Sequence, residues 1–341
     1  MTNSKNSEIF SNVYKVVSHT DYFIYFFIGG RGWGKTYSML KGMLDHGDRF
    51  IYLRTIDDII ENCVNNEANP FKDINIDDNR NIVVRKKKAS ATFVDEDTEE
   101  IVGYAYALNT FYKQRGSSFP DVTYVFWDEF LDDKGQFTPK HLDIKLFQAL
   151  ETIGRNRELL GKEPLKVVLC ANSFSMNHDV LRTLNLIEPM REINEHPNEK
   201  RIYTDEERGI YLEVMENKKM EDKKSETRLY KLTRGTTFYD MALSNDFVYD
   251  YFFDVKRINM QELTPMCACG PIYFYKHKGK EIVYATKRKA NCQKYDRSNY
   301  ELFMKSYGHF LNKFKSAGLM LFQNYDIKLL TLDVLGGSYY D

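Results

Sequence analysis

No apolar run in this chain approaches the roughly 20 residues needed to span a bilayer, and the opening MTNSKNSEIF lacks a basic stretch leading into an apolar core. The expectation is a protein that neither crosses a membrane nor is exported, and that works inside a cell. Cysteine is sparse: Cys63, Cys170, Cys267, Cys269 and Cys292 form an odd set with no regular spacing. That excludes a disulfide framework, and the CACG stretch is one residue too tight for a CxxC zinc or redox pair. Five reduced thiols are expected. There is no internal repeat, no low-complexity tract and no large charge of one sign, the net charge being -1. The charge is nevertheless unevenly shared. Residues 230–341 hold 16 basic against 11 acidic side chains, and residues 1–229 hold 32 against 38. The last third is locally basic, a modest excess that fits either a nucleic-acid-facing surface or ordinary surface scatter.

A length of 341 residues is enough for two domains. Through the first 200 residues strand-like runs alternate with helix-like ones: YFIYFFI, YSMLKGMLDHG, FIYLRT, TYVFWDEF, KLFQALETIGRNRELLG and LKVVLCANS. This rhythm predicts an α/β domain with a mostly parallel, buried sheet flanked by helices. Between Glu195 and Arg228 the sequence becomes polar and charged, apart from GIYLEVM, and reads as a linker. Beyond it, DFVYDYFFDV, a hairpin around HKGK in PIYFYKHKGKEIVYA, and a closing helix in YELFMKSYGHFLNKFKSAG predict a smaller α+β domain. The boundaries expected are residues 1–197, 198–228 and 229–341.

The strongest chemical signal is GGRGWGKT, where Gly29, Gly30, Arg31, Gly32, Trp33, Gly34, Lys35 and Thr36 fit the phosphate-loop pattern at every fixed position, after a strand and before a helix. Backbone N–H groups and the helix N-terminus surround a phosphate, Lys35 reaches the β and γ oxygens, and the Thr36 hydroxyl ligates Mg²⁺. Trp33 reads better as packing than as a base-stacking ring. A second anchor for the metal is needed at a neighbouring strand end, and DVTYVFWDEF supplies Asp128, with Glu129 as general base for an attacking water. LKVVLCANS ends at Asn172, an amide placed to sense the γ-phosphate or the lytic water. An arginine is also required where phosphoryl charge spreads. Arg31, Arg115, Arg155 and Arg157 are candidates, while Glu151, Arg155 and Glu158 at helical spacing read equally as a solvated helix face. A helicase or AAA+ remodeller would carry a sensor arginine and lid after the Asn172 strand, and neither is apparent. A non-catalytic nucleotide scaffold would lack one of Lys35, Asp128 or Glu129, and all three are present.

With GGRGWGKT, PDVTYVFWDEF, GRNRE and CANS in that order, the chain resembles the phi-29-like phage genome-packaging ATPases, ring motors of the additional-strand, catalytic-glutamate phosphate-loop group. The likeness covers roughly residues 20–200, and Cys170 departs from the usual first residue of the last motif. The resemblance implies ATP and Mg²⁺ as cofactors and ATP hydrolysis coupled to translocation of double-stranded DNA. It implies a homo-oligomeric ring, a pentamer, coaxial with the portal of a procapsid, with a structural packaging RNA as a further candidate partner and no membrane. The place of action is the host cytoplasm, transiently on the procapsid and not in the mature virion. Arg155 matches the trans-acting arginine finger, and Arg115 falls where a second basic residue acts across the subunit interface, a lysine in the family pattern. The last domain would be RNase H-like, stripped of its acid cluster and contacting DNA, RNA or portal. Asp240, Asp246, Asp250 and Asp254 leave a nuclease open, as in the large terminases, the alternative family; another phosphate-loop DNA translocase is the remaining reading. The basic hairpin residues Lys276, Lys278, Lys280, Lys287, Arg288 and Lys289 are the expected contact surface.

Overall fold

The computed structural model describes residues 10–64, 68–87, 90–131, 139–172, 176, 178–196, 198–236, 239, 243, 254–337 and 339–340. The chain divides into two units, residues 1–183 with 189–249, and residues 184–188 with 250–341.

In the first unit the apolar runs become strands: β1 (Ile24–Ile28), β2 (Arg49–Arg54), β3 (Ile82–Lys87), β4 (Ser90–Asp95), β5 (Glu100–Ala107), β6 (Val122–Asp128), β7 (Lys166–Ala171), β8 (Ile202–Asp205) and β9 (Ile210–Val214). They form one nine-stranded sheet in the order β3-β4-β5-β2-β6-β7-β1-β9-β8. Every pairing from β5 across to β9 is parallel, while β3, β4 and β8 extend the two ends antiparallel. All five residues of β1 are buried, as expected of a strand covered by helices on both faces. Tyr25 and Phe27 pack towards the Lys35–His46 helix, with Met39, Leu40 and Met43 in the same core.

Two expectations are corrected here. Residues 198–228 are not a bare linker, because GIYLEVM forms β9, which pairs in register with β1 from Ile24↔Ile210 to Ile28↔Val214. Burying that apolar stretch against a central strand outweighs the polar character of its surroundings. The helix expected over KLFQALETIGRNRELLG also ends early, at Gly154. Arg155 has φ 37° and ψ −167°, so Arg155 and Glu158 do not continue the face begun at Glu151.

The second unit is built on β10 (Leu263–Cys269), β11 (Ile272–His277), β12 (Val283–Thr286), β13 (Gln293–Tyr295) and β14 (Met320–Phe322), in the order β13-β10-β11-β12-β14. The expected hairpin is the antiparallel β11–β12 pair, and the expected closing helix runs from Tyr300 to Ser316 through a π-turn at Met304–Gly308. A further helix, Tyr325–Gly336, completes the core with Phe274, Phe303, Leu311 and Val334. Asp240, Asp246 and Asp250 lie outside the described residues. Asp254 is ion-paired with Lys328 at 2.8 Å.

Candidate functional site

Three strands that are neighbours in the sheet end together. β7 lies between β1 and β6, with Ile28 opposite Ala171 and Asp128 opposite Cys170. The Gly29 N–H donates to the Ala171 carbonyl (3.1 Å) and the Phe130 N–H to the Cys170 carbonyl (3.2 Å). Gly29–Thr36, Asp128, Glu129 and Asn172 are thus gathered at the carboxyl edge of a parallel sheet, where ligands of such folds bind.

The loop after β1 takes its shape from its composition. Gly32 (φ 68°) and Gly34 (φ 89°) occupy the left-handed region, open to glycine at little cost. A Cβ on Gly30 would meet the Trp33 ring at 2.6 Å. Trp33 itself is fully buried, packed under the loop beside Gly29 and Met215. Its indole therefore belongs to the core and not to a ligand-facing surface. Arg31 is exposed.

Lys35 begins the helix but its ammonium turns back over the loop, donating to the carbonyls of Gly29 (2.7 Å) and Gly30 (2.9 Å) and to Asn172 Oδ1 (3.2 Å). Burial lowers its pKa to about 8. The Thr36 hydroxyl donates to Asp128 Oδ1 at 2.9 Å. Asp128 is buried, and that burial raises its carboxyl pKa against the opposing pull of Arg54. Glu129 follows at φ 53°, a strained backbone for a non-glycine residue. Its side chain remains half exposed.

Arg54, at the end of β2, is the residue that sequence reasoning missed. Its guanidinium donates to the Tyr52 hydroxyl (3.2 Å), to Asp128 Oδ2 (3.4 Å) and to the Glu129 carboxylate. Tyr52 in turn donates to Asp128 Oδ2 at 3.1 Å. The only signal was a cation closing the apolar run FIYLRT; its meaning depends on β2 being the neighbour of β6.

Arg155 and Arg115 are placed elsewhere. Both are exposed. The Arg155 guanidinium donates to the Ser117 carbonyl while its backbone N–H caps the helix on the Glu151 carbonyl (3.0 Å), and Arg115 lines a cleft with Tyr112, Lys145 and Gln148. Arg157 is buried, donating to the Pro120 carbonyl at 3.2 Å. Ser117 and Pro120 lead into the start of β6, whereas Asp128 is its last residue. The seven residues of β6 span about 20 Å at about 3.3 Å per residue, and the Arg155 turn lies towards the end of that strand remote from the acid pair of the same chain.

A family model described as "Podovirus DNA encapsidation protein (Gp16)" matches residues 5–263. The DNA packaging protein of Bacillus phage PZA is 25% identical over 262 residues, covering 74% of this chain and 70% of that protein. That of Bacillus phage phi29 is 24% identical over 254 residues, covering 72% and 68%. Among solved structures, a chain of the bacteriophage Phi-29 viral genome packaging motor assembly superposes over 97% of this chain and 99% of its own, with a TM-score of 0.67 at 20% identity. The Phi-28 gp11 DNA packaging motor matches over the same shares with a TM-score of 0.61 at 16% identity. At these identities the superpositions establish a shared fold across both units. The family match spans the phosphate loop, the acid pair, the Arg155 turn and Asn172, and because it covers most of the sequence the chain belongs to the podovirus DNA encapsidation protein (Gp16) family.

Proposed function

We propose that this protein is the ATP-hydrolysing subunit of a ring motor that drives double-stranded phage DNA into a procapsid. One observation carries the reading: Lys35, Thr36, Asp128, Glu129 and Asn172 meet at the carboxyl ends of adjacent parallel strands, with Thr36 already bonded to Asp128. The residues fit a magnesium–nucleotide. Loop amides and Lys35 would hold the phosphates, and Thr36 and Asp128 would hold the metal through its inner and outer shells. Bound Mg²⁺ supplies charge neutralisation on the phosphate oxygens. Glu129, oriented by Arg54, takes the proton of the attacking water. Asn172 bonds Lys35 and so reports the state of the phosphate end to β7.

The position of Arg155 supports a site completed by a second subunit. The Arg155 guanidinium is turned to Ser117, before the start of β6 and away from its own acid pair, so in this reading a neighbouring copy presents it in trans, and Arg115, close to the same turn, faces the same interface. The partners proposed are further copies in a ring, a pentamer, the portal, double-stranded DNA and a structural RNA, encountered in the host cytoplasm on the procapsid and left behind by the mature virion. The second unit is read as a contact domain and not a nuclease, because Asp254 is engaged by Lys328.

Turnover and equilibrium ATP binding in the presence of procapsids and DNA test the reading. Glu129→Gln is expected to keep ATP affinity while hydrolysis and DNA protection fall by about 10²-fold or more; Lys35→Ala is expected to lose affinity itself. Undiminished turnover in the glutamine variant would remove Glu129 from the mechanism.

A further inference from the structure

The peptide joining Arg31 to Gly32 is gripped from outside the loop. Lys224, in the Lys218–Ser225 helix, donates its ammonium to the Arg31 carbonyl oxygen. The same Nζ lies 5.4 Å from the centroid of the buried Tyr230 ring and would be 3.2 Å from a Cβ on Gly32. The helix carrying it is fixed to the loop at its other end as well. Met215 N–H donates to the Ile28 carbonyl at 2.8 Å. Asn217 caps the helix by accepting from the Met220 N–H (3.0 Å) and donates to Ser11 Oγ (3.4 Å), while the Ser11 N–H donates to the Trp33 carbonyl (2.9 Å).

A trans peptide is planar, so its C=O and the following N–H point in opposite directions. Holding the Arg31 carbonyl on the outer side therefore turns the Gly32 N–H to the inner side, and the left-handed Gly32 (φ 68°) lets the next peptide follow. Lys35 instead holds the Gly29 and Gly30 carbonyls on its own side of the loop, so the converging N–H groups begin at Gly32. Successive N–H groups converging on one concavity make an anion nest. Resting on the nucleotide site proposed above, we infer that Lys224 is a positioning residue for that nest: it sets the Arg31–Gly32 peptide for a nucleoside diphosphate and ties phosphate affinity to the placement of the Lys218–Ser225 helix.

The test is calorimetric binding of Mg²⁺–ADP and of a non-hydrolysable Mg²⁺–ATP analogue to the full chain. Lys224→Met keeps the aliphatic stem against Tyr230 and removes the donor. It is expected to weaken both nucleotides equally, by about tenfold, the scale of one hydrogen bond from a charged donor. Lys224→Arg keeps a donor and is expected to stay within about threefold of the unaltered protein. Unaltered affinity in Lys224→Met overturns the inference. So does a loss confined to the ATP analogue, which would mean a direct γ-phosphate contact, and so does an arginine variant as weak as the methionine one, which would mean packing alone. If the unaltered protein binds neither nucleotide, the proposed function falls together with the inference; if it binds both and Lys224→Met matches it, only the inference falls.

Discussion

The two edges of the nine-stranded sheet are built on opposite terms. At the carboxyl edge of β1, β7 and β6, Lys35 and Asp128 are withdrawn from water and answered within the same chain, Lys35 by three oxygens and Asp128 by Thr36, Tyr52 and Arg54, while Arg31 and the outer part of Glu129 stay exposed. Towards the other edge Arg155 stands exposed with its guanidinium bonded to the Ser117 carbonyl, and Arg115, two residues from Ser117, is exposed as well. The buried groups of this self-satisfied edge are arranged to bind and hold a phosphate, with their own charges already answered. The exposed edge has the cation and no phosphate. Under the function proposed above, joining the two between subunits would make hydrolysis conditional on correct contact and so pass one site's state to the next.

Removing the exposed partner should have the largest effect. Arg155→Ala is expected to cut ATP turnover by about 10³-fold, the lower end for losing an arginine finger, with nucleotide affinity kept. Mixing Arg155→Ala with Lys35→Ala subunits should restore turnover where an intact Arg155 faces an intact loop. Absence of recovery, in mixtures shown by mass measurement to co-assemble, would place the arginine in cis or out of the mechanism.

On the self-satisfied edge, Arg54→Met removes one member of a buried pair and should lower stability by about 3 kcal/mol, read from denaturant midpoints near neutral pH. The carboxyl pKa of Asp128 is already raised by burial and rises further without the guanidinium. A folded-state pKa above the unfolded one penalises folding at high pH and releases that penalty as pH falls. The deficit of Arg54→Met should therefore shrink on acidification, and a deficit independent of pH would separate Arg54 from Asp128.

A smaller effect follows from Lys35, whose pKa is lowered to about 8 by burial. Below that pH the ammonium is ready for a phosphate. Above it, binding must first take up a proton, so ADP affinity should fall by up to about tenfold per pH unit. Calorimetry in two buffers of different ionisation heat would show the proton uptake, and a flat profile up to pH 9.5 would refute it.

The smallest effect belongs to the second unit. Lys276, Lys278, Lys280, Arg288 and Lys289 are exposed, whereas Lys287 is spent on Asp326 at 2.9 Å. If this hairpin meets duplex DNA, neutralising one exposed lysine should reduce the log–log salt slope of binding by about 0.9, and Lys287→Ala should change it less. Equal slopes for all variants would make the surface ordinary.

Much of the site was legible because it is written in contiguous segments. A phosphate loop needs its glycines, lysine and threonine within eight positions, and apolar strands ending in Asp128-Glu129 and at Asn172 declare their own ends. Arg54 and Lys224 were not legible, since each acts on a partner far along the chain, Asp128 for one and Arg31 for the other. The break at Arg155 also escaped, because the helical spacing of Glu151, Arg155 and Glu158 persists in the sequence after the backbone has turned away.

The sequence by itself determined the alternation of strands and helices, the strand-loop-helix that seats a phosphate and the identity of the acids, since these depend on local periodicity and on side chains next to one another. Only the tertiary structure decided which strands are neighbours, and with that which arginine lies beside the acid pair and which is turned away from it. Strand order is a property of pairing between distant segments. It is fixed by which apolar faces bury one another, and no single stretch of the chain carries that information.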